Sequence, residues 1–530
     1  MVALASKGRN TIRRTVTVDV KKHYSKLSLQ MTTNTSIIPT KPHNALPHVG
    51  VTSRFYLVVK PPFSPKATWM NSFVMSKTQL SIFAAALALS GCTMIPKYER
   101  PAAPVAAQYP GATEPRRESA ASDIAWQSFF AEERLKKLIE LALANNRDLR
   151  VAILNVEQSC AQYRITRSAS FPGVEAGGSF TRQHASDITS DQWSASLGTT
   201  AYELDLFGRV RSLNKQALEK YLATAEARRT AQISLVAEVA SEYFTLRETE
   251  EQLQLARQTL QAVRESYDLN KATFDAGASN ELDMRTAEGQ VQTAKINVLT
   301  YERQLAQAEN ALVLLVGQPL PADLPAPRPF NATSILGEIP AGLPSDLLGR
   351  RPDILEAEHI LKAANANIGA ARAAFFPTIS LTASIGATSS QLSQLFRSGT
   401  GVWSFSPQVT VPIFTGGQNR ADLDSAKVGA RIEVANYEKA IQTAFREVAD
   451  ALVANSSYAS QIEEQGTLID TLQRRFDLAN TRYRQGEDSY LNVLSAQQDL
   501  YSAQQGFLEA QFNKLASQIS LYQALGGGWK

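Results

Sequence analysis

The side chains able to do chemistry are few in this sequence and poorly placed for catalysis. Downstream of Cys92 only two histidines occur, His184 and His359, in different segments. There is no HExxH, no G-x-S-x-G and no phosphate-cradling glycine loop. The carboxylates are spread along helical stretches at surface spacing without a converging pair. These absences argue against an enzyme and call for no cofactor and no metal. One thiol stands apart. Cys92 follows Leu89-Ser90-Gly91, and the ten residues from Leu80 to Leu89 form an apolar run behind Lys77. That run is right for a signal-peptide core and too short to span a bilayer as a helix. The four residues ending in Cys92 match a bacterial lipobox, in which the cysteine is lipidated and becomes the first residue of the mature protein. Thr93, where an aspartate would signal retention at the inner membrane, favours the outer one. Cys160 then has no partner, so no disulfide is expected and it reads as a small packing residue.

A second set of polar residues sits at two reversals of long helical stretches. Phe274-Asp275-Ala276-Gly277-Ala278-Ser279 and Tyr483-Arg484-Gln485-Gly486-Glu487-Asp488 each place a glycine where a left-handed residue lets a helix reverse. On either side of Gly486 apolar residues step by three and four: Ile469, Leu472, Phe476, Ala479 and Tyr483 before it, Leu491, Leu494, Tyr501, Leu508, Phe512, Leu515, Ile519 and Tyr522 after it. This is a coiled-coil seam. The first arm, from about Gly416, is about 100 Å long at the α-helical rise. The same unit occurs earlier. Val239, Gly277, Ala287 and Gly317 stand 209 positions before Val448, Gly486, Ala496 and Gly526, and Phe171-Pro172 stands 205 before Phe376-Pro377. A constant offset means an internal duplication.

Those hairpins need something to stand on. Residues 378–386 and 403–413 alternate Ile, Leu, Ala, Trp, Phe and Val with Ser, Thr, Gln and Gly, and 174–183 and 193–202 repeat the pattern more weakly. Strands of about ten residues with one apolar and one small polar face suit a membrane barrel with a wet lumen. A soluble hairpin with one buried face is the alternative. Four strands cannot close a water-filled barrel, and an open edge is not tolerated in lipid. Three chains would supply twelve strands.

The other segments follow. Residues 1–74 hold eleven Lys/Arg and one acidic residue, so with a net charge of +4 overall the rest of the chain is acidic, and the basic pI makes no case for nucleic acid. This leader resembles an organelle transit peptide, but the features after Met75 favour a start assigned too early. Residues 75–91 are the signal peptide and 92–131 a Pro-rich strap. Residues 132–317 are the first repeat, opening with a helix from about Glu132 to Ser168. A connector rich in proline covers 318–344, the second repeat 345–526, and a tail 527–530.

On these residues the chain resembles the TolC-like outer membrane factors, in their lipidated OprM-like branch. The similarity runs from Cys92 to Trp529. It is most specific at Gly342–Leu348, Arg350-Arg351-Pro352-Asp353-Ile354, Ala363–Arg372 and Phe375-Phe376-Pro377, with further matches at Leu141–Leu149, Tyr202–Gly208 and Tyr522–Trp529. The resemblance implies a mainly α-helical homotrimer: a periplasmic α-barrel of duplicated hairpins, completed by a twelve-stranded β-barrel in the outer membrane of a Gram-negative bacterium. It implies a passive tunnel for a tripartite multidrug efflux system, docking a periplasmic adaptor and an inner-membrane resistance-nodulation-division transporter. The tips would meet the adaptor through Phe274, Gly277, Ala278, Gly486 and Glu487. Family members close the tunnel near the tips with a Tyr three before the second glycine and carboxylates six and nine after it. Here those positions are Tyr483, Asn492 and Ser495, so neither carboxylate is present. The first repeat offers Asp283 and Thr286 instead, and Asp283, then Asp488, are the candidates for an acidic ring. A type I secretion channel and a periplasm-spanning structural lipoprotein are the competing readings.

Overall fold

A computed structural model describes residues 93–106, 108–109, 124–330 and 344–529. The leader, the signal peptide and Cys92 lie outside the described residues.

Glycine and proline punctuate the chain twice over. After a single helical turn, α1 (Trp126–Phe129), come α2 (Glu133–Asn145) and α3 (Arg147–Ser168). The expected continuous helix to Ser168 is therefore two helices. Asn146 takes an extended conformation between them, its side chain accepts from Leu149 N–H at 2.9 Å, and its amide donates to the Leu315 carbonyl at 2.9 Å. A capping side chain with a tertiary partner outweighs helix continuity there. Pro172 ends the run, and β1 (Glu175–Ala185) and β2 (Ile188–Leu204) follow. Next comes the hairpin α4 (Arg209–Asp275) and α5 (Glu281–Val316). The second copy runs α6 (Pro344–Arg350), α7 (Pro352–Ala373), β3 (Thr378–Ser389), β4 (Gly401–Thr410), α8 (Gln418–Arg484) and α9 (Tyr490–Ala524). α4 and α8 each have 67 residues, about 100 Å of helix. Gly208, Gly277 and Gly317 all have positive φ, and so do Gly417, Gly486 and Gly526, each 209 residues on. The duplication is thus one of backbone conformation as well as of sequence. Among the described residues no helix is long and apolar enough to cross a membrane.

The two strand pairs join in one antiparallel sheet of order β1-β2-β3-β4. Ser186 and Asp187, both at positive φ, make the two-residue turn that lengthens β1 and β2 beyond their expected limits. β4 stops at Thr410 rather than Ile413, because Pro412 has no N–H to carry the ladder on. Register sorts the faces. Leu197, Ile385 and Trp403 lie abreast, as do Ala383 and Phe405, and Phe180 with Trp193. The other face is polar and small. Ser179 meets Ser194 and Ser384 meets Ser404, each at 2.7 Å between hydroxyls. A bulge between Thr199 and Tyr202, with Ala201 at φ 52°, lets the Tyr202 hydroxyl donate to the Ser170 carbonyl at 3.0 Å, tying the foot of the sheet to the end of α3.

The largest core lies around the middle of α4. Phe129, Leu135, Leu138 and Ile139 pack on Val239, Tyr243 and Phe244, with Leu312 and Ile519 completing the layer. Phe129 stacks on Tyr522 with ring centres 3.9 Å apart. A second core gathers Ile354, Leu361, Tyr437, Ile441 and Val448, and the strap residues Tyr98 and Val105 pack against it. The seam of the second hairpin departs from expectation near its tip. Leu491 is 66% exposed, and Tyr490 and Val493 are buried in its place beside the expected Leu494. The helix buries the face that meets the first hairpin as well as its own partner arm, so the stripe rotates.

The strap is clamped to α7. Glu358, nearly fully buried, accepts from Arg100 Nε at 3.0 Å and Nη2 at 2.6 Å, from Tyr98 Oη at 3.1 Å, and pairs with Lys362 at 3.1 Å. Burial alone would raise this carboxyl, but the bonds from Arg100 and Lys362 outweigh it and hold it below the usual range. A depressed folded pKa contributes stability above the unfolded value of about 4.3, lost as pH falls through the folded one. Hydrogen exchange at residues 94–105 should therefore stay slow from neutral pH to about pH 4 and rise only below that. Glu358→Gln should free the strap at pH 7 by about 1–3 kcal/mol. Equal protection in wild type and variant would remove the clamp.

Candidate functional site

The two hairpin tips carry most of the residues singled out in the sequence. Each is a Schellman turn. Gly277 (φ 73°) donates to the Phe274 carbonyl at 2.8 Å and Ala278 to Thr273 at 2.8 Å, while Gly486 (φ 77°) donates to Tyr483 at 2.9 Å and Glu487 to Arg482 at 2.9 Å. A Cβ at either glycine would meet nothing within 4 Å, so conformation rather than space demands the glycine. Gly277, Ala278, Gly486 and Glu487 are exposed and Phe274 is half-buried.

Beyond the first turn Asn280 caps α5. Its side chain accepts from Asp283 N–H at 2.9 Å and its amide donates to Asp283 Oδ2 at 3.0 Å. Asp283 is thus half of a reciprocal cap, with its charge where the helix dipole favours it. Thr286 bonds back to the Leu282 carbonyl at 2.7 Å and joins no cluster. In the second tip Asp488 accepts from Asn492 Nδ2 and from Ser489 N–H, and pairs with Arg482 Nε at 3.4 Å. The bonds from Asn492 and Ser489, with Arg482, hold the Asp488 carboxyl below its ordinary value. Thr273 and Ser279 occupy the equivalent positions of the first tip, joined by a neutral hydroxyl bond of 3.3 Å. Ser495 accepts from Arg475 Nη2 at 3.3 Å, and Arg475 also pairs with Asp499 at 2.6 Å.

The shortest bond joining the hairpins near their tips is one the sequence reading missed. Tyr483 Oη donates to Asn270 Oδ1 at 2.7 Å. Asn270 is fully buried in α4, its amide spent on the Ser266 carbonyl at 2.8 Å. Ser266 Oγ also donates to Tyr490 Oη at 3.2 Å, and the two tyrosine rings lie 5.6 Å apart. Burial, then the nearby Asp283 carboxylate, pushes both phenols up, so Tyr483 remains a donor across the physiological range. Tyr483 and Asp283 therefore share one site, while Asp488 with Asn492, and Ser495 with Arg475, belong to their own hairpin. One signal was available: Asn270 aligns with Ala479 of the second repeat, a polar side chain at a seam position.

Elsewhere the titratable groups make helix contacts. His359 Nδ1 lies 2.6 Å from Glu219 Oε2, and Lys215 Nζ 2.6 Å from Glu219 Oε1. Burial would raise Glu219, but those two partners bring it down to about 2. This cluster joins α4 to α7. His184 Nδ1 lies 3.0 Å from Thr189 Oγ1. Among the described residues no group of three or more His, Cys, Asp or Glu is placed to hold a metal ion.

Comparison with known proteins gives consistent results. The family model described as outer membrane efflux protein matches residues 138–318 and 343–527. A probable efflux pump outer membrane protein of Pseudomonas putida, TtgC, is 48% identical over 468 residues, covering 86% of this chain and 96% of that protein. The cation efflux system protein CusC of Escherichia coli is 42% identical over 462 residues, covering 86% of this chain and all of that protein. Among solved structures, the open state of the outer membrane channel MtrE of Neisseria gonorrhoeae superposes with a TM-score of 0.78 at 41% identity, over 83% of this chain and 99% of the other.

Proposed function

The chain belongs to the outer membrane efflux protein family, and we propose that it is a passive, lipid-anchored exit duct that receives cargo through a periplasmic adaptor from an inner-membrane resistance-nodulation-division transporter. It is an efflux channel of the Gram-negative outer membrane, a trimer that works with pump partners.

One observation carries the duct: a four-stranded sheet, apolar on one face and Ser/Thr-rich on the other, whose edges β1 and β4 are both unpaired in the chain. Joining β4 of one copy to β1 of the next keeps the pairing antiparallel. Three copies close twelve strands around a polar lumen, which satisfies every ladder group in lipid. The helices offer the same connection. α8 packs chiefly on α7 and α9. Its free flank carries Val428, Ile432, Val453, Leu468 and Leu478 in one exposed stripe. On the other side of the chain Val151, Leu154, Ile165, Ile296, Leu299 and Leu314 are exposed on α3 and α5. Two different unpartnered flanks make a head-to-tail contact, and a ring closes it. Planar-bilayer recording of the purified trimer tests the duct: stable single-channel conductance is expected, and a heat-resistant trimer that never conducts would leave only a periplasmic spacer.

The tip residues Phe274, Gly277, Ala278, Gly486 and Glu487 are proposed as the adaptor contact, since little bulk and a fixed turn suit close approach by another helical hairpin. The relatives are named for toluene, antibiotics or a cation system at 42–49% identity. We therefore assign choice of cargo chiefly to the transporter and no catalytic step to this chain.

The strap supports the anchor reading. Arg372 Nη1 donates to the Met94 carbonyl at 3.3 Å, and Arg372 stands six residues before β3 begins. Cys92 stands two residues before Met94 in the sequence. An acyl chain on Cys92 then enters the bilayer beside the barrel. Mass spectrometry of membrane-extracted protein should find an acylated Cys92 as first residue. Cys92→Ser should lose the lipid but retain part of the trimer, because the barrel embeds it independently; an unmodified Cys92 in the wild type would overturn the anchor.

A further inference from the structure

α7 has two opposed faces, and only one is accounted for above. Glu358, Lys362, Asn365 and Arg372 take the strap, with Asn365 Nδ2 donating to the Pro96 carbonyl at 2.8 Å. Gly369 belongs to the same face, where Ile95 and Ser212 leave no room for a Cβ. Half a turn round, Ile360, Ala364 and Asn367 form the floor of an open groove of about 620 Å³, walled by α4 and α8. A strap that leads to a membrane anchor runs on the outer wall, because reaching the lumen would mean threading between helices. In a wall one helix thick, the opposite face of α7 opens on the lumen.

We propose that this groove is a resting site for cargo inside the duct, and that the class it fits is an amphipathic zwitterion of drug size. Its volume is within the range of small-molecule sites. Its floor is low and mostly apolar, with Asn367 its polar exception, because α7 and α8 present Ala364, Ala426 and Gly429 there. The walls carry opposite charges: Lys220 on α4, Asp422 and Glu433 on α8. Lys220 and Asp422 make no ion pair among the described residues, and Glu433 accepts only from its helical neighbour Asn436, at 3.0 Å. A simple organic cation would meet Lys220, and a simple anion would meet two carboxylates. A zwitterion with an apolar body places its carboxylate on Lys220, its ammonium on one of the two α8 carboxylates, which stand about 16 Å apart along the helix, and its body on Ile360 and Ala364. Binding at such a site is weak, since a conduit must release what it holds.

The proposal rests on the duct reading, and its test keeps the two apart. Norfloxacin, a fluorescent zwitterion, is titrated with purified wild-type trimer by fluorescence anisotropy, beside its ethyl ester, which lacks the carboxylate. Saturable binding is expected, at least tenfold weaker for the ester and for the pair Asp422→Asn with Glu433→Gln. Gly429→Trp projects into the groove and should abolish it; a Cβ at Gly429 meets nothing within 4 Å, and the variant is assayed only as heat-resistant trimer. The absence of saturable binding by the wild type, or equal binding by drug and ester, overturns the site without needing any variant. Wild-type binding retained by a folded Gly429→Trp trimer overturns it as well. Bilayer conductance of the same wild-type sample reports on the duct: a conducting trimer that does not bind loses the niche alone, whereas one that does not conduct loses both.

Discussion

Ile385→Arg is expected to deplete trimer from the outer membrane, while Ser384→Arg, one residue away, leaves it nearly intact. The two positions differ only in face. Ile385 lies at mid-strand in β3, opposite Leu197 on one side and Trp403 on the other, and is 66% exposed in the single chain. In a closed barrel that exposure becomes contact with lipid, and arginine near the midplane costs about 2–4 kcal/mol. Every trimer carries the cost three times. Ser384 faces the hydroxyl of Ser404 at 2.7 Å on the polar side, where an arginine finds water. Losing that exposed bond costs about 0.5–1 kcal/mol. Thr382 is a poorer control than Ser384, because its hydroxyl accepts the Ala201 N–H at 3.0 Å within the bulge of β2. Heat-resistant trimer in isolated outer membranes, and the urea midpoint of trimer refolded into lipid vesicles, measure the difference. Equal losses at the two positions would sink the assignment of faces, and with it the closed barrel.

Much of this architecture could be read from the sequence because it rests on local rules. A glycine that must adopt positive φ recurs at fixed offset, and Gly277 with Gly486 marked both tips. Alternation of apolar and polar residues gave the strands and their faces before any partner was known. What escaped is what depends on partners distant in sequence. Asn146 breaks a helix because it can bond the Leu315 carbonyl, 169 residues away. A period of two says nothing about order, so the joining of β2 to β3 across the repeats was not visible. Leu491 follows the seam of its own hairpin, yet the first hairpin claims the neighbouring face and leaves it exposed. The site shows the same division. Tyr483 and Asp283 were singled out by the family's pattern around the tip glycine, which the resemblance supplied. Asn270, which receives the tyrosine, left one trace, its alignment with the seam residue Ala479, but its burial depends on the second hairpin that covers it.

That covered asparagine sets the largest expected effect on conduction. If the tips hold the tunnel shut at rest, Tyr483 to Asn270 is the shorter of two bonds near the tip of each chain, with Ser266 to Tyr490, that must break for the second hairpin to swing away from the first. Tyr483→Phe keeps the ring and removes only the donor, leaving Asn270 Oδ1 buried without a partner at about 1–3 kcal/mol. Three tips opening together multiply even the lower figure to about 3 kcal/mol, which shifts the closed-to-open ratio by roughly two orders of magnitude. Resting conductance in planar bilayers should rise, and cells should become permeable to large antibiotics that the closed channel excludes. Asn270→Ala should do the same, and the two together should do little more, because they remove one bond between them. Asp283→Asn separates charge from closure. An asparagine there can still accept from Asn280 and keep the cap of α5, so resting conductance should stay low. Cation selectivity should fall, because a ring of three carboxylates at the constriction would be gone. Should Tyr483→Phe and Asn270→Ala both conduct like the wild type, the bond is mere packing between hairpins, and the resting closure lies elsewhere along the duct.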